Sequence, residues 1–447
     1  MDAINQTVGG ILQHLRSHNE PFVLHKGKQP QWNDEALHSS AYQNNAELYA
    51  LMGVAKGVLP QGRDRILFQV LRTSRIGMTP EIRHTLDRIT NLLLSVLHPD
   101  KVLTVFLALR RVRANHKHTA KAILNYILNH PDLEDMANCR RRTLEDCLSH
   151  AMGKNVARAC AKMLSNPAVA DQQYLRRHLL RFARDPEKVK TIFPVLYKQG
   201  TRQTGSGQYK LAHTQFLEKF DRQEERPKTI TPTNRGDISA TLIHLYRGGI
   251  SAELQQALER YVEDAAKKLP RFHGKLALVL DASASTKGYG DREYCGISQS
   301  VAFQLVLEKC CPNLQIFAVG NSGQIPIPKG NTDIALALLD ALETQPDLVA
   351  IVSDGYENIY PGDLARLVAT LPQLGIHTPV VFCHSKFTGS DDLTLRRPAT
   401  NLPQLEFWHQ DDFEDLLISI LSMTNQNQSE IGLREFLLKK LDLVISH

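Results

Sequence analysis

Five oxygen-bearing side chains stand out by type and spacing: Asp281, Ser283 and Ser285 in "LVLDASAST", Thr332 in "GNTDIALAL", and Asp354 in "IVSDGYEN". Each lies at the end of an apolar run or in a loop that opens a helix. Two carboxylates and three hydroxyls are hard donors, which suit Mg2+, Mn2+ or Ca2+ and would hold zinc poorly. Neutral hydroxyls leave positive charge on a bound ion, and carboxylates acting through water supply counter-charge. Mg2+ keeps waters readily, so one coordination position stays open for an outside carboxylate or phosphate. Small polar residues also make ordinary strand-to-helix turns, and a helix cap explains Thr332 alone. Capping does not explain five donors recurring at one sheet edge.

The same residues fit catalysis poorly. An aspartate nucleophile for phosphoryl transfer wants a second carboxylate two residues on, where Ser283 stands. A serine hydrolase needs a G-x-S-x-G elbow, and "DASAS" offers no such glycines. The "GYG" at 288–290 lacks the lysine and spacing of a phosphate loop. His384 and His409, close to strand ends, read as satisfied polar edge residues, and Cys310-Cys311 as core packing. With no nucleophile–base pair apparent, the expectation is a binding protein and not an enzyme.

Two kinds of element must position these residues. From about 43 to 200 the chain reads as successive helices with short turns. "TPEIRHTLDRITNLLLSVL" shows a Thr cap, Pro at the first helical position and apolar residues at three- and four-residue spacing. "HPDKVLTVFLALRRVRA", "KHTAKAILNYILNH", "RTLEDCLSHAM", "KNVARACAKMLSN", "DQQYLRRHLLRFAR" and "PEKVKTIFPVLYKQ" continue the train, which predicts an α-solenoid of degenerate repeats. Polar stretches at 199–210 and 221–236 read as loops, and two more helices lead to Arg271. There the grammar changes. Apolar runs such as "KLALVLDAS", "LQIFAVG", "DLVAIVSDG" and "HTPVVFCH" alternate with helices, predicting a mostly parallel, doubly wound sheet. Ligands bind such sheets outside the strands' carboxyl ends, where Asp281 and Asp354 fall. The expected division is a helical domain over 1–270 and an α/β domain over 271–447.

Composition bounds the class. At 447 residues the chain expects two cores, and 42% hydrophobic with 22% charged residues is a soluble, globular composition. The start, "MDAINQTVGGILQHLRSHNE", lacks the basic-then-apolar order of a secretory signal and reads as an amphipathic helix. No stretch has the roughly 20 apolar residues of a membrane span. Seven cysteines without a CxxC pair suit a reducing cytoplasm better than a disulfide framework or a cysteine zinc site. The net charge of +6 hides an asymmetry: residues 101–210 carry 21 Lys/Arg against 8 Asp/Glu, residues 271–447 carry 13 against 21. A basic half and an acidic half meet different partners.

Taken together, Asp281-x-Ser283-x-Ser285, then Thr332, then a strand-end Asp354, resembles the metal-ion-dependent adhesion site of von Willebrand factor A domains. That resemblance implies direct ligation by Ser283, Ser285 and Thr332, with Asp281 and Asp354 acting largely through water. A helical region ahead of such a domain is similar to the Ro ribonucleoprotein (TROVE) family. The family implies a HEAT-like helical ring that binds RNA, followed by a Rossmann-like von Willebrand A domain. The likeness lies mainly in 271–420, in "GKLALVLDASAS", "GNTDIALAL" and "DGYEN"; over 1–250 it rests on helix grammar and basic charge. The sequence departs from the family after Ser285, where "TKGYGDRE" stands in place of the usual Met.

The resemblance implies an RNA surface on Arg110, Arg111, Arg113, Lys117, Lys121, Arg140, Arg141, Arg142, Arg176, Arg177, Arg181 and Arg184, with His116 and His118 beside them. Lys/Arg rows on adjacent helices neutralise phosphates with little sequence reading. Tyr174 and Phe182 are the few aromatics among them. The alternative expectation is a metal-dependent interaction scaffold that captures an acidic residue of a protein partner and binds no RNA.

Overall fold

The computed structural model describes residues 8–25, 29–30, 32–166, 168, 170–197, 236–248, 251–388, 396–424 and 426–446. The predicted loops at 199–210 and 221–235 lie outside them. Contacts divide the chain into two units: residues 11–222 with 1–6 and 440–447, and residues 223–439 with 7–10.

The first unit is helical. Its elements are α1 (Val8–Ser17), α2 (Glu35–Asn44), α3 (Ala46–Leu51), α4 (Pro60–Arg72), α5 (Pro80–Val96), α6 (Pro99–Arg111), α7 (Lys117–Leu128), α8 (Leu133–Met152), α9 (Lys154–Ser165), α10 (Gln172–His178) and α11 (Pro186–Tyr197). Their ends follow local chemistry. Thr79 accepts a hydrogen bond from Ile82 N and Pro80 opens α5, as its sequence predicts. α4, α6, α8 and α11 stack in a row, and α7 packs on α8. Alternate helices therefore bury their apolar faces on one another: Ile66, Leu67, Phe106, Leu109, Leu144 and Phe193 are all buried.

The second unit is an α/β domain with a five-stranded, all-parallel sheet in the order β2-β1-β3-β4-β5. The strands are β1 (Lys275–Asp281), β2 (Asn313–Val319), β3 (Leu348–Ser353), β4 (Val380–Ser385) and β5 (Gln404–Phe407). Their apolar runs are continuous because both faces are covered. Leu276, Leu278 and Leu280 pack with Val301, Phe303 and Phe413 on one face, and Ala277 and Val279 with Leu338 and Leu364 on the other. Helices α14 (Cys295–Cys310) and α17 (Phe413–Ser422) cover the first face, α15 (Ile334–Glu343) and α16 (Asp363–Thr370) the second.

Two helices that the sequence grammar groups with the helical region, α12 (Ile238–Tyr246) and α13 (Ala252–Lys267), belong by contact to this unit. Ile238, Leu242, Leu258 and Val262 share a core with the sheet. A change of periodicity at residue 271 marks where strands begin, which is not where packing divides. The last helix, α18, runs Gln426–Ser446. Among the described residues, no helix is long and apolar enough to cross a membrane.

Candidate metal centre

The strand order reverses direction between β1 and β3: the chain leaves β1 for β2 on one side and returns to β3 on the other. In open α/β sheets, ligands bind at such a switch point, outside the carboxyl ends of the strands. Asp281 is the last residue of β1, and Asp354 follows the last residue of β3.

Asp281 is fully buried, and its carboxylate is held on both oxygens. Oδ1 accepts from the Ser283 backbone N at 3.0 Å, and Oδ2 accepts from the Ser353 hydroxyl at 2.6 Å. The Ser283 and Ser285 hydroxyls lie 3.0 Å apart, and Thr332 Oγ1 donates to Ser283 Oγ at 2.8 Å. Asn358 Nδ2 donates to Thr332 Oγ1 at 3.1 Å, and Ser285 hydrogen-bonds Asp354. The structure thus brings all five sequence-predicted residues together. It adds Ser353 and Asn358, whose roles depend on strand pairing and a loop turn that sequence spacing does not show.

Thr332 arrives because the loop after β2 is clamped against the Ser283 turn. Ala282 N donates to Val319 O at 2.9 Å, Lys329 N to Ala282 O at 3.0 Å, and Ala284 N to Gly330 O at 3.1 Å. At the crossing point Gly320 has φ +84°, and a Cβ there would lie 2.5 Å from Lys329 O and 2.7 Å from Ser283 Cα. Only glycine permits this approach.

The electrostatics favour a cation. Burial pushes the Asp281 carboxyl above its ordinary value, against the hydrogen bonds from Ser353 and Ser283. Burial, and then the charge of Asp281, push Asp354 up to about 6. Neither carboxylate makes an ion pair with a described residue. Two desolvated acids so placed are costly when ionised unless positive charge joins them. Arg396 is a nearby cation: its guanidinium stacks on the Tyr356 ring 3.5 Å from the centroid and acts weakly on Asp354. Among the hydroxyl and carboxylate donors, Ser283, Ser285, Thr332, Asp281 and Asp354 are the set that would hold a hard divalent ion.

The twelve basic residues expected to form an RNA surface divide into two groups. Four are engaged within the protein. Arg110 pairs with Asp146 at 3.0 Å, and Arg140 grips Asp100 through two bonds of 3.0 and 3.2 Å. Arg141 donates to Leu196 O at 2.9 Å, and Arg111 to His25 O. Arg113, Lys117, Lys121, Arg142, Arg176, Arg177, Arg181 and Arg184 are exposed. Along α10 and the turn after it, Tyr174 and His178 lie with ring centroids 4.4 Å apart, and the Arg181 guanidinium sits 4.6 Å over Phe182. Aromatic rings are thus interleaved with Arg176, Arg177, Arg181 and Arg184.

Of the two strand-end histidines, His384 is buried within β4. His409 lies 3.0 Å from Asp237 and 3.2 Å from Asp411. Burial opposes its charge, but the two carboxylates outweigh burial and raise its pKa to about 9. Because this folded value exceeds the unfolded one, the stabilisation is complete below about pH 6.5 and is lost as pH rises through about 9. Asp237 also caps α12 by accepting from Ala240 N at 2.9 Å, so the pair ties that helix to the end of β5. His409→Gln is expected to cost about 3 kcal/mol in denaturant unfolding at pH 6, with a much smaller deficit above pH 9. A deficit independent of pH would show that packing, not charge, is lost.

No protein-family model matches the chain, and a search of the curated proteins finds no match.

Proposed function

We propose that the second unit is a von Willebrand A-type module that binds a divalent cation, Mg2+ or its relatives Mn2+ and Ca2+, and offers the ion's open position to a carboxylate of a partner. The observation that carries this reading is the convergence of Asp281, Ser283, Ser285, Thr332 and Asp354 at the β1/β3 switch point in one hydrogen-bonded network. A water or an outside carboxylate completes the ion's shell. The loops that carry the donors also expose Tyr289, Tyr356 and Tyr360, which suits a protein partner. Electron paramagnetic resonance with Mn2+ tests the site. One Mn2+ per chain, displaced by Mg2+ and lost in Ser283→Ala, is expected; binding unaffected by that substitution would remove the assignment.

The helical unit then carries RNA, as a HEAT-like, Ro-type array would. Support comes from the exposed arginines of α10 and its following turn, interleaved with rings on which bases can stack. The alternative, a metal-dependent scaffold without RNA, is favoured by the engagement of Arg110, Arg111, Arg140 and Arg141 inside the protein. RNA recovered with protein isolated from its native cells and released by ribonuclease decides between them.

A further inference from the structure

In the first unit, three imidazoles converge on one carboxylate oxygen. His14 Nε2 lies 2.7 Å from Asp34 Oδ2, His38 Nε2 3.3 Å from it and His18 Nε2 3.4 Å from it. The two lone pairs of that oxygen face His14 and His38, and His18 is left over. His18 Nε2 is buried and makes no hydrogen bond among the described residues. Two imidazole nitrogens and a carboxylate oxygen, all within 4.8 Å of one another, make a group that a shared cation would satisfy.

The spacing identifies which cation. With bonds of about 2.0–2.1 Å, the edge of a zinc tetrahedron between ligand atoms is roughly 3.3 Å. The His38 Nε2–Asp34 Oδ2 separation already has that length, and the ligand atoms of His14, Asp34 and His38 all lie within 4.8 Å of one another, with His18 outside that group. Imidazole nitrogens with a single carboxylate suit zinc and not Mg2+ or Ca2+.

The surroundings have the form of an outer shell. Asp34 Oδ1 accepts from Arg65 Nε at 2.8 Å, which leaves Oδ2 as a monodentate ligand. His38 Nδ1 lies 2.5 Å from the Tyr49 hydroxyl, whose oxygen can accept the Nδ1 proton and leave Nε2 unprotonated toward the metal. Asp34 and His38 are buried, while the His14 and His18 side chains are 22% and 25% exposed, so access is from their side. The sequence contributes two i, i+4 pairs. His14 and His18 share a face because His18 N bonds His14 O at the end of α1, and Asp34 and His38 share the first turn of α2.

We propose that His14, Asp34 and His38 form a three-ligand Zn2+ site that pins the N-terminal helix to the start of α2. It is separate in ligand chemistry from the oxygen site of the second unit and does not depend on that reading. Three protein ligands leave a fourth position for water on the partly exposed His14 side, and the metal acts by joining residue 14 to residues 34 and 38.

Cobalt substitution tests this on the full, untagged chain after chelator treatment. One Co2+ per chain with the intense visible bands of tetrahedral cobalt, displaced by Zn2+, is expected. His14→Ala, on the partly exposed side, should abolish those bands with an unchanged far-ultraviolet circular dichroism spectrum. Tyr49→Phe should weaken binding about ten- to a hundredfold, and Ser283→Ala should leave it intact. No bands in the wild-type chain, the weak spectrum of octahedral cobalt, or bands lost in Ser283→Ala but kept in His14→Ala would each overturn the proposal. If His14→Ala misfolds, the wild-type spectrum and the Ser283→Ala arm still decide.

Discussion

Millimolar Mg2+ should raise the melting temperature of the full chain, and Asp281→Asn should abolish that rise while stabilising the metal-free protein. The two effects have one origin. Asp281 and Asp354 are desolvated acids at the ends of neighbouring strands, each pushed toward its neutral form by burial. Without a cation their mutual repulsion opposes folding. With one, the same charges become the attraction. An ion present at a hundred times its dissociation constant adds about 2.7 kcal/mol, or roughly 5–10 °C for a domain of this size. The introduced amide keeps an acceptor for Ser283 N and a polar partner for the Ser353 hydroxyl, so the substitution removes charge with little loss of packing. Asp281→Ala combined with Ser283→Ala should also lose the response, but at lower stability, because Ser353 and Thr332 lose partners. A wild-type melting temperature that does not move with Mg2+ would refute the metal reading. A rise retained in Asp281→Asn would place the ion elsewhere.

How far this site was legible in the sequence follows from what sets each part. Asp281, Ser283, Ser285, Thr332 and Asp354 are readable because apolar runs announce strand ends, and parallel sheets gather strand ends on one edge. Ser353 and Asn358 are not readable, since their partners come from register and from a turn of the chain. Gly320 looks like any loop glycine until the clamped crossing at Lys329 and Ser283 gives it a reason. The same limit applies to charge. The excess of arginine over 101–210 is visible by counting, yet Asp146 and Asp100 engage Arg110 and Arg140 only once helices pack. The proposed zinc site shows both sides of the problem. Each i, i+4 pair is plain in the sequence, but such pairs are common on helix surfaces. Only the fold sets one pair against the other.

Single-stranded RNA should bind the first unit with an affinity that falls steeply with salt, and reversing Arg176, Arg177 and Arg184 to Glu should remove most of it. Counterion release gives a slope of about −0.7 per phosphate neutralised on single strands. Five contacts would therefore cost roughly a hundredfold in affinity between 50 and 200 mM salt. Removing three of them should flatten the log–log slope by about 2. The choice of residues comes from the structure: these three are exposed, whereas Arg110 and Arg111 already hold Asp146 and the His25 carbonyl. Reversing Arg110 and Arg111 would break internal contacts as well as any phosphate contact, so lost binding there would be ambiguous. Phe182→Ala supplies the complementary arm. It removes a ring under Arg181 without changing charge, so it should weaken binding by about 1–3 kcal/mol and leave the salt slope unchanged. Binding that ignores all three reversals, with the slope intact, would move the RNA off this surface. No binding at low salt would favour the metal-dependent scaffold, with the basic helices facing an acidic protein.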